Sequence, residues 1–141
     1  MTREELEAIL AKRLDAWHRR DAAALAATHS EDGIYTSALV GPIQGRQAIE
    51  SLYASWFSAF PEAEFEVESQ VIDGNRVALS WKQRGRHMGE FCGLEATGRI
   101  FQIRGAFFHI FKEGKIVRTE SIYDMTGLLV QIGILKAKPA R

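Results

Sequence analysis

The chain has 141 residues, of which 46% are hydrophobic and 26% charged, and its formal net charge is zero. This length predicts one domain over residues 1–141 with a buried core, and the composition excludes a disordered protein. The balanced charge and the lack of an apolar run of about 18 residues predict neither a nucleic-acid partner nor a membrane partner, and the single cysteine, Cys92, predicts a reducing, cytoplasmic location.

Three helices are predicted in the first 60 residues. The first starts with a capping box, Thr2-x-x-Glu5. Its apolar stripe is Leu6, Ile9, Leu10, Leu14 and Trp17. A short Ala-rich second helix follows Asp21, and a third, over residues 46–60, is stopped by Pro61. Between the last two, a short strand is predicted at residues 34–37.

From residue 64 the apolar positions alternate, which is typical of strands with one solvated face. Four long strands are predicted, at residues 64–71, 76–87, 97–111 and 115–124, and a short helix at 127–132 closes the chain. The prediction is an α+β fold in which a curved antiparallel sheet of four long strands plus a short one wraps around the N-terminal helices. Such a sheet encloses a concavity, where small-molecule pockets usually lie.

The hairpin at Glu113-Gly114 allows the register of the last two strands to be predicted. If Lys112 pairs with Lys115, strict alternation places one set of side chains on the concave face. That set is Phe101, Ile103, Phe107, His109, Phe111, Arg118, Glu120, Ile122 and Asp124. An apolar wall with a few ionisable groups is typical of a ligand site, because an unpaired buried charge is costly. Trp81 and His87 on the neighbouring strand, and Tyr35 in the short strand, complete the predicted substrate-binding set.

Each ionisable candidate also has a structural interpretation. Arg118 and Glu120 would form a rim ion pair, His109 would be a core histidine with satisfied hydrogen bonds, and Asp124 would cap the closing helix. The four histidines show no metal-ligand spacing, so no metal site is predicted.

Three segments carry a resemblance to a known family. Residues 85–99 read GRHMGEFCGLEATGR, residues 113–116 read EGKI, and residues 124–133 read DMTGLLVQIG. They resemble the patterns G-T-H-x-G-x-F-x-G-x-x-P-T-G-[RK], D-G-K-I and D-x-x-G-[LM]-L-x-Q-[LI]-G of the SnoaL-like polyketide cyclases (ester cyclases). These belong to the nuclear transport factor 2-like superfamily, so the resemblance implies a cone-shaped, cystatin-like topology.

The resemblance also implies residue roles. Asp124 occupies the position of the family's general acid/base in an aldol-type ring closure, and His109 lies at about the position of an assisting histidine. Glu120 replaces a frequent tryptophan and places a second carboxylate about 13 Å from Asp124 at strand rise. Family members are usually dimers or higher oligomers, which implies a homodimer or homotetramer.

The leading hypothesis is a cofactor-independent cyclase or isomerase acting on a small hydrophobic carbonyl compound. Asp124, Glu120 and Arg118 would instead activate water in an epoxide hydrolase or hydratase. The third hypothesis is a non-catalytic, dimeric module that binds a small ligand.

Overall fold

The computed structural model describes residues 1–37 and 39–136, and this part of the chain forms four helices and a six-stranded sheet. In chain order the elements are α1 (Arg3–Arg19), α2 (Ala22–Ala27), β1 (His29–Ser37), β2 (Gly41–Gln44), α3 (Arg46–Ala59), β3 (Glu64–Asp73), β4 (Arg76–Arg86), β5 (Ile100–Lys112), β6 (Lys115–Tyr123) and α4 (Met125–Gln131). The sheet is curved and unclosed, and the N-terminal helices precede most of it. This arrangement confirms the predicted α+β class.

The first two helices begin where their capping signals predict. The Thr2 hydroxyl accepts the Glu5 N–H at 3.1 Å, and the Glu5 carboxylate accepts the Thr2 N–H at 3.0 Å. Asp21 caps α2 by accepting the Ala24 N–H at 2.9 Å. These bonds satisfy donors that a helix start otherwise leaves unpaired, so local sequence alone fixes both boundaries.

The strands lie in the order β2-β1-β6-β5-β4-β3. The four long strands are antiparallel, as predicted, but the whole sheet is mixed, because β1 runs parallel to β6, starting at His29 opposite Ile116. The prediction also missed β2, because the pair Gly41-Pro42 is typical of the end of an extended segment and not of a strand. Pro42 is compatible with β2 because this strand lies at the sheet edge, where a missing backbone N–H is tolerated.

A bulge in β6 changes the face that its side chains occupy. The predicted pair of Lys112 with Lys115 is confirmed, but Ile110 then pairs with Arg118, which leaves Val117 as an extra residue. One extra residue moves every later side chain of the strand to the other face. The predicted register is therefore wrong beyond the bulge.

A second bulge interrupts β3 between Val67 and Ser69. The predicted alternation would place Phe65, Val67 and Val71 on one face, but Val71, which follows the bulge, is 61% exposed. Ile72 packs against the core in its place.

The core lies between the helices and the inner face of the sheet. Trp17 of α1 stacks on Phe65 of β3 with ring centroids 4.5 Å apart and planes 8° apart. Trp17 also meets Tyr53 and Phe57 of α3 edge-on, at 5.8 and 5.3 Å. Because the Trp17 indole of α1 packs against both α3 and β3, the two helices are held at a fixed position over the concave face.

Candidate functional site

A cavity of about 50 Å³ lies between α1, α3 and the concave face of the sheet. Its lining consists of aromatic and aliphatic side chains with a small number of hydroxyl and amide groups: Trp17, Tyr35, Ser37, Leu39, Leu52, Tyr53, Trp56, Trp81, Gln83, Phe107, Ser121 and Tyr123. No carboxylate belongs to this lining in the described part of the chain. The volume lies well below the roughly 300–1,000 Å³ of pockets for drug-sized ligands, which favours a small or flat ligand.

Gly105 makes room for one wall of the cavity. A Cβ atom at this position would overlap the Trp81 ring and lie 2.6 Å from the carbonyl oxygen of Ile122. The Trp81 indole therefore lies directly over β5, with its ring centroid 6.3 Å from that of Tyr123. The Trp81 Nε1–H is buried and has no hydrogen-bond partner among the described residues.

A buried polar cluster lies beside the cavity, on α1, β1 and α3. Arg13, only 3% exposed, donates to the Thr28 hydroxyl at 2.7 Å and to the Tyr53 hydroxyl at 3.2 Å. The Nε2 atom of His29 lies 2.9 Å from the same Tyr53 oxygen. No salt bridge to Arg13 forms within the described residues. Neutral groups alone therefore compensate this buried charge, and they include Nε2 of His29, 3.4 Å from Arg13 Nη1.

The tautomer of His29 decides the role of the Tyr53 hydroxyl, since Nδ1 of His29 is buried without a partner among the described residues. A proton on Nε2 would donate to the Tyr53 oxygen. Because Arg13 donates to this oxygen as well, both of its lone pairs would be occupied and its O–H would be left for a molecule in the cavity. A proton on Nδ1 would instead make Nε2 the acceptor of the Tyr53 O–H and of Arg13 Nη1, which lies 3.4 Å from it.

Burial keeps two histidines neutral. Desolvation, followed by the charges of Arg13 and Arg46, holds the pKa of His29 well below its usual value. Desolvation, followed by the charge of Arg13 and by His29, does the same to the pKa of His109. Nδ1 of His109 lies 2.8 Å from the Thr119 hydroxyl, while its Nε2 is buried without a partner among the described residues.

Burial also acts on the tyrosines of the cavity wall. It raises the pKa of Tyr123 to about 12, with a smaller contribution from Cys92. Burial, and then the neighbouring Tyr53, raises the pKa of Tyr35. Both hydroxyls therefore stay protonated at neutral pH and act in the cavity as neutral hydrogen-bonding groups.

The structure brings part of the predicted set together. Tyr35, Trp81 and Phe107 line the cavity. Ile103 is buried in the adjoining core at 3% exposure. His87 is fully buried, but it packs against Phe60 and its Nδ1 lies 3.0 Å from the Thr97 hydroxyl, so it is outside the cavity lining. Substrate binding by these residues stays a prediction.

The placement of Arg118, Glu120 and Ile122 on the concave face is wrong. The β6 bulge puts Thr119 opposite His109, and the other three side chains point to the outer face of the sheet, where Ile122 is 52% exposed. The pairs of His109 with Arg118 and of Phe107 with Glu120 are therefore absent. The same shift brings inward three residues that were predicted to face outward, namely Thr119, Ser121 and Tyr123.

Asp124 lies between β6 and α4 and is exposed. Its Oδ1 accepts the Gly127 N–H at 2.8 Å, so it caps α4 as one of its two interpretations predicts. It directly follows Tyr123, whose side chain lines the cavity. Its acid/base role stays a prediction.

The predicted site lacks the residues whose polar atoms the cavity depends on. Gln83 lies two residues after Trp81 on the same strand, and this spacing indicates that both side chains point to the same face. Arg13 lies three residues after Leu10 and four before Trp17, so it is a charge within the apolar stripe of α1. The partners Tyr53 and Trp56 carry no distinguishing sequence signal, because they occupy ordinary apolar positions of α3.

The described residues include no helix with the length and apolar character of a membrane-spanning segment. They also contain no group of three or more histidine, cysteine or acidic side chains arranged to hold a metal ion.

Several solved structures share this fold. The AclR protein of Streptomyces galilaeus, described as a candidate hydroxylase, is 28% identical, with a TM-score of 0.85 over 98% of this chain and 87% of its own. IdmH of Streptomyces antibioticus, a candidate polyketide cyclase, is 24% identical, with a TM-score of 0.76; the match covers 90% of this chain and 97% of IdmH. A ketosteroid isomerase-like protein of Catenulispora acidiphila, in complex with trimethylamine, is 19% identical, with a TM-score of 0.77 over 93% and 97%.

None of the curated proteins matches this sequence. The family model described as SnoaL-like polyketide cyclase matches residues 8–132, which include every element from the greater part of α1 to α4. With the fold and this match in agreement, the chain belongs to the SnoaL-like polyketide cyclase family.

Proposed function

We propose that this protein is a cyclase or isomerase that transfers a proton at the carbon next to a carbonyl group in a small hydrophobic compound. Membership of the family supports a cyclase or isomerase role. The observation that carries the proposal is the Tyr53 hydroxyl in the cavity lining, which accepts from Arg13 at 3.2 Å and, with the His29 proton on Nε2, keeps its own hydrogen for the cavity. A hydrogen bond from this group to a carbonyl oxygen stabilises the charge that develops there when the adjacent carbon loses a proton.

Arg13 strengthens this donor in two ways. Its charge is buried and is balanced by no carboxylate salt bridge among the described residues, so its field acts at low local dielectric. Its hydrogen bond to the Tyr53 oxygen also polarises the O–H bond. The result is a neutral acid directed at the ligand oxygen, which is the requirement for enolate formation.

We propose Asp124 as the proton acceptor, in the role that the family resemblance implies. Its Oδ1 accepts the Gly127 N–H, whereas Oδ2 makes no hydrogen bond within the described residues. It follows Tyr123 directly, at the end of a strand that lines the cavity. The proton would leave the carbon for the carboxylate and return to the new carbon or oxygen position, so the step needs no co-reactant.

The test uses 1-indanone, a small aromatic ketone, in D₂O. Proton abstraction exchanges the hydrogens at C2 for deuterium, which mass spectrometry detects without knowledge of the natural substrate. We expect exchange above the buffer rate, reduced about 10²–10³-fold by Tyr53→Phe, the usual loss for one oxyanion donor. Gln47→Leu, an exposed change on α3, is the control that leaves the rate unchanged.

The other two hypotheses give different results in the same assay. The predicted water-activating set is not assembled, since Arg118 and Glu120 face away from the cavity. A hydratase or hydrolase would nevertheless be revealed by solvent ¹⁸O in a product. Ligand binding with neither deuterium exchange nor oxygen incorporation would contradict the cyclase proposal and favour the binding module.

A further inference from the structure

The amide of Gln83 lies in the cavity wall with one end held. Gln83 is 2% exposed, and its Oε1 accepts the Trp56 Nε1–H at 2.6 Å. Its Nε2 has no hydrogen-bond partner among the described residues. This nitrogen is not among the completely buried polar atoms that lack a partner, so it can reach a molecule beside it. Its two hydrogens are therefore open to an acceptor on a ligand.

The partner fixes the orientation of this amide. An indole N–H only donates, so the atom 2.6 Å from it must be the amide oxygen rather than the nitrogen. The Trp56 ring is itself held edge-on by Phe60 at 4.8 Å and by Tyr123 at 5.7 Å. The amide therefore cannot exchange its two ends without losing this bond, so the NH₂ group is the end left without a partner among the described residues.

We propose that the Gln83 NH₂ group is the subsite for a hydrogen-bond acceptor on the ligand, and that Trp56 is the positioning residue that sets its polarity. This inference rests on the proposed function and specifies its substrate class. The ligand carries a ketone or enolate oxygen next to a planar apolar skeleton, in preference to a hydroxyl group at the same place. Its ring lies among the aromatic walls, which include Trp81 and Tyr35.

Two hydrogen-bond donors on opposite sides of the cavity would hold the two ends of a carbonyl substrate. Gln83 lies on β4 and Tyr53 on α3, so the two donors reach the cavity from the sheet and from the helical layer. A compound with two carbonyl groups would satisfy both donors at once. Ring closure between two carbonyl-bearing arms of one molecule needs such a two-point hold, because it brings the reacting carbons together.

The test compares three probes with one skeleton: 1-indanone, which only accepts, 1-indanol, which accepts and donates, and indane, which does neither. Dissociation constants come from titration calorimetry or protein NMR shifts. We expect the wild-type protein to prefer the ketone to indane by about tenfold, the value of one buried hydrogen bond. Gln83→Leu should abolish this preference while indane affinity stays within about twofold, and Gln47→Leu should leave both values unchanged.

Trp56→Phe tests the positioning role separately, since it keeps the amide and removes the N–H that orients it. Without that N–H the amide can turn its oxygen toward the ligand. An amide oxygen accepts a hydrogen bond from 1-indanol but not from the ketone, so the ratio of ketone affinity to 1-indanol affinity should fall. If Gln83→Leu does not fold, this ratio decides, and an unchanged ratio overturns the inference. Equal wild-type binding of ketone and indane overturns the subsite but leaves the cavity as a ligand site, whereas binding of no probe overturns the proposed function as well.

Discussion

Asp124 has two possible roles, and one pair of substitutions separates them. Its Oδ1 accepts the Gly127 N–H at 2.8 Å at the start of α4. That helix is anchored by Leu128 and Ile132, which are completely buried. Loss of the cap therefore weakens the attachment of a packed element, whereas loss of the charge alone affects only the chemistry.

The expected magnitudes follow from the capping geometry. Asn and Asp are equivalent N-caps, so Asp124→Asn should leave the free energy of unfolding nearly unchanged. Asp124→Ala removes the acceptor, which costs about 1 kcal/mol. For a domain of this size that loss lowers the midpoint of thermal unfolding by about 3 °C.

The two variants are compared by thermal unfolding and by deuterium exchange into 1-indanone. We expect Asp124→Asn to stop exchange with an unchanged midpoint, and Asp124→Ala to stop exchange with a lowered one. Exchange that persists in Asp124→Asn would refute the acid/base role and leave Asp124 as a helix cap. An unchanged midpoint in Asp124→Ala would refute the capping argument.

Three further predictions concern stability and assembly. His29 and His109 have lowered pKa values in the folded state, so the unfolded state binds more protons below pH 6.5. The free energy of unfolding should therefore fall with acidification, by up to about 1.4 kcal/mol per pH unit for each histidine. Equal free energies from urea unfolding at pH 7 and pH 5.5 would contradict this. Gly105→Ala should cost about 1–3 kcal/mol by overpacking, because the new methyl group meets the Trp81 ring and β6 backbone, and wild-type urea stability would refute the clash. We propose that the exposed apolar outer face pairs with a second copy, so Ile122→Glu should convert a dimer or tetramer to monomers in sedimentation velocity, and an unchanged mass would exclude this face.

Local signals were sufficient for the helices and for most strands. The capping box at Thr2 and the cap at Asp21 fix their helices through hydrogen bonds within four residues, so no tertiary information is needed. The meander from β3 to β6 was likewise predictable, since tight turns join β3 to β4 and β5 to β6 and the strands alternate on either side of the two bulges. The parallel pairing of β1 with β6 was not, because it joins segments almost 90 residues apart, through contacts that no local pattern encodes.

The candidate site was predicted less well than the fold. A shift of one residue in the register of β6 decides which of its side chains face the cavity. Counting from the hairpin gave the correct pairs as far as Phe111 with Ile116, and the extra Val117 then exchanged the two faces. A bulge has no sequence signal in a segment such as Ile116-Val117-Arg118, where every residue suits a strand. Tyr35, Trp81 and Phe107 were correctly placed because they lie on strands or stretches that this bulge does not shift.

The exchange of faces changes the chemistry that the cavity supports. The predicted wall contained a histidine beside an arginine and a carboxylate, which suggested catalysis by paired charges. With Arg118 and Glu120 on the outer face, the groups left inside are neutral donors, and Arg13 is the buried charge behind them. A cation held only by neutral groups favours negative charge on the ligand, because no fixed anion cancels its field. The arrangement therefore suits an enolate better than a cationic intermediate, which agrees with the donor polarity set by Trp56.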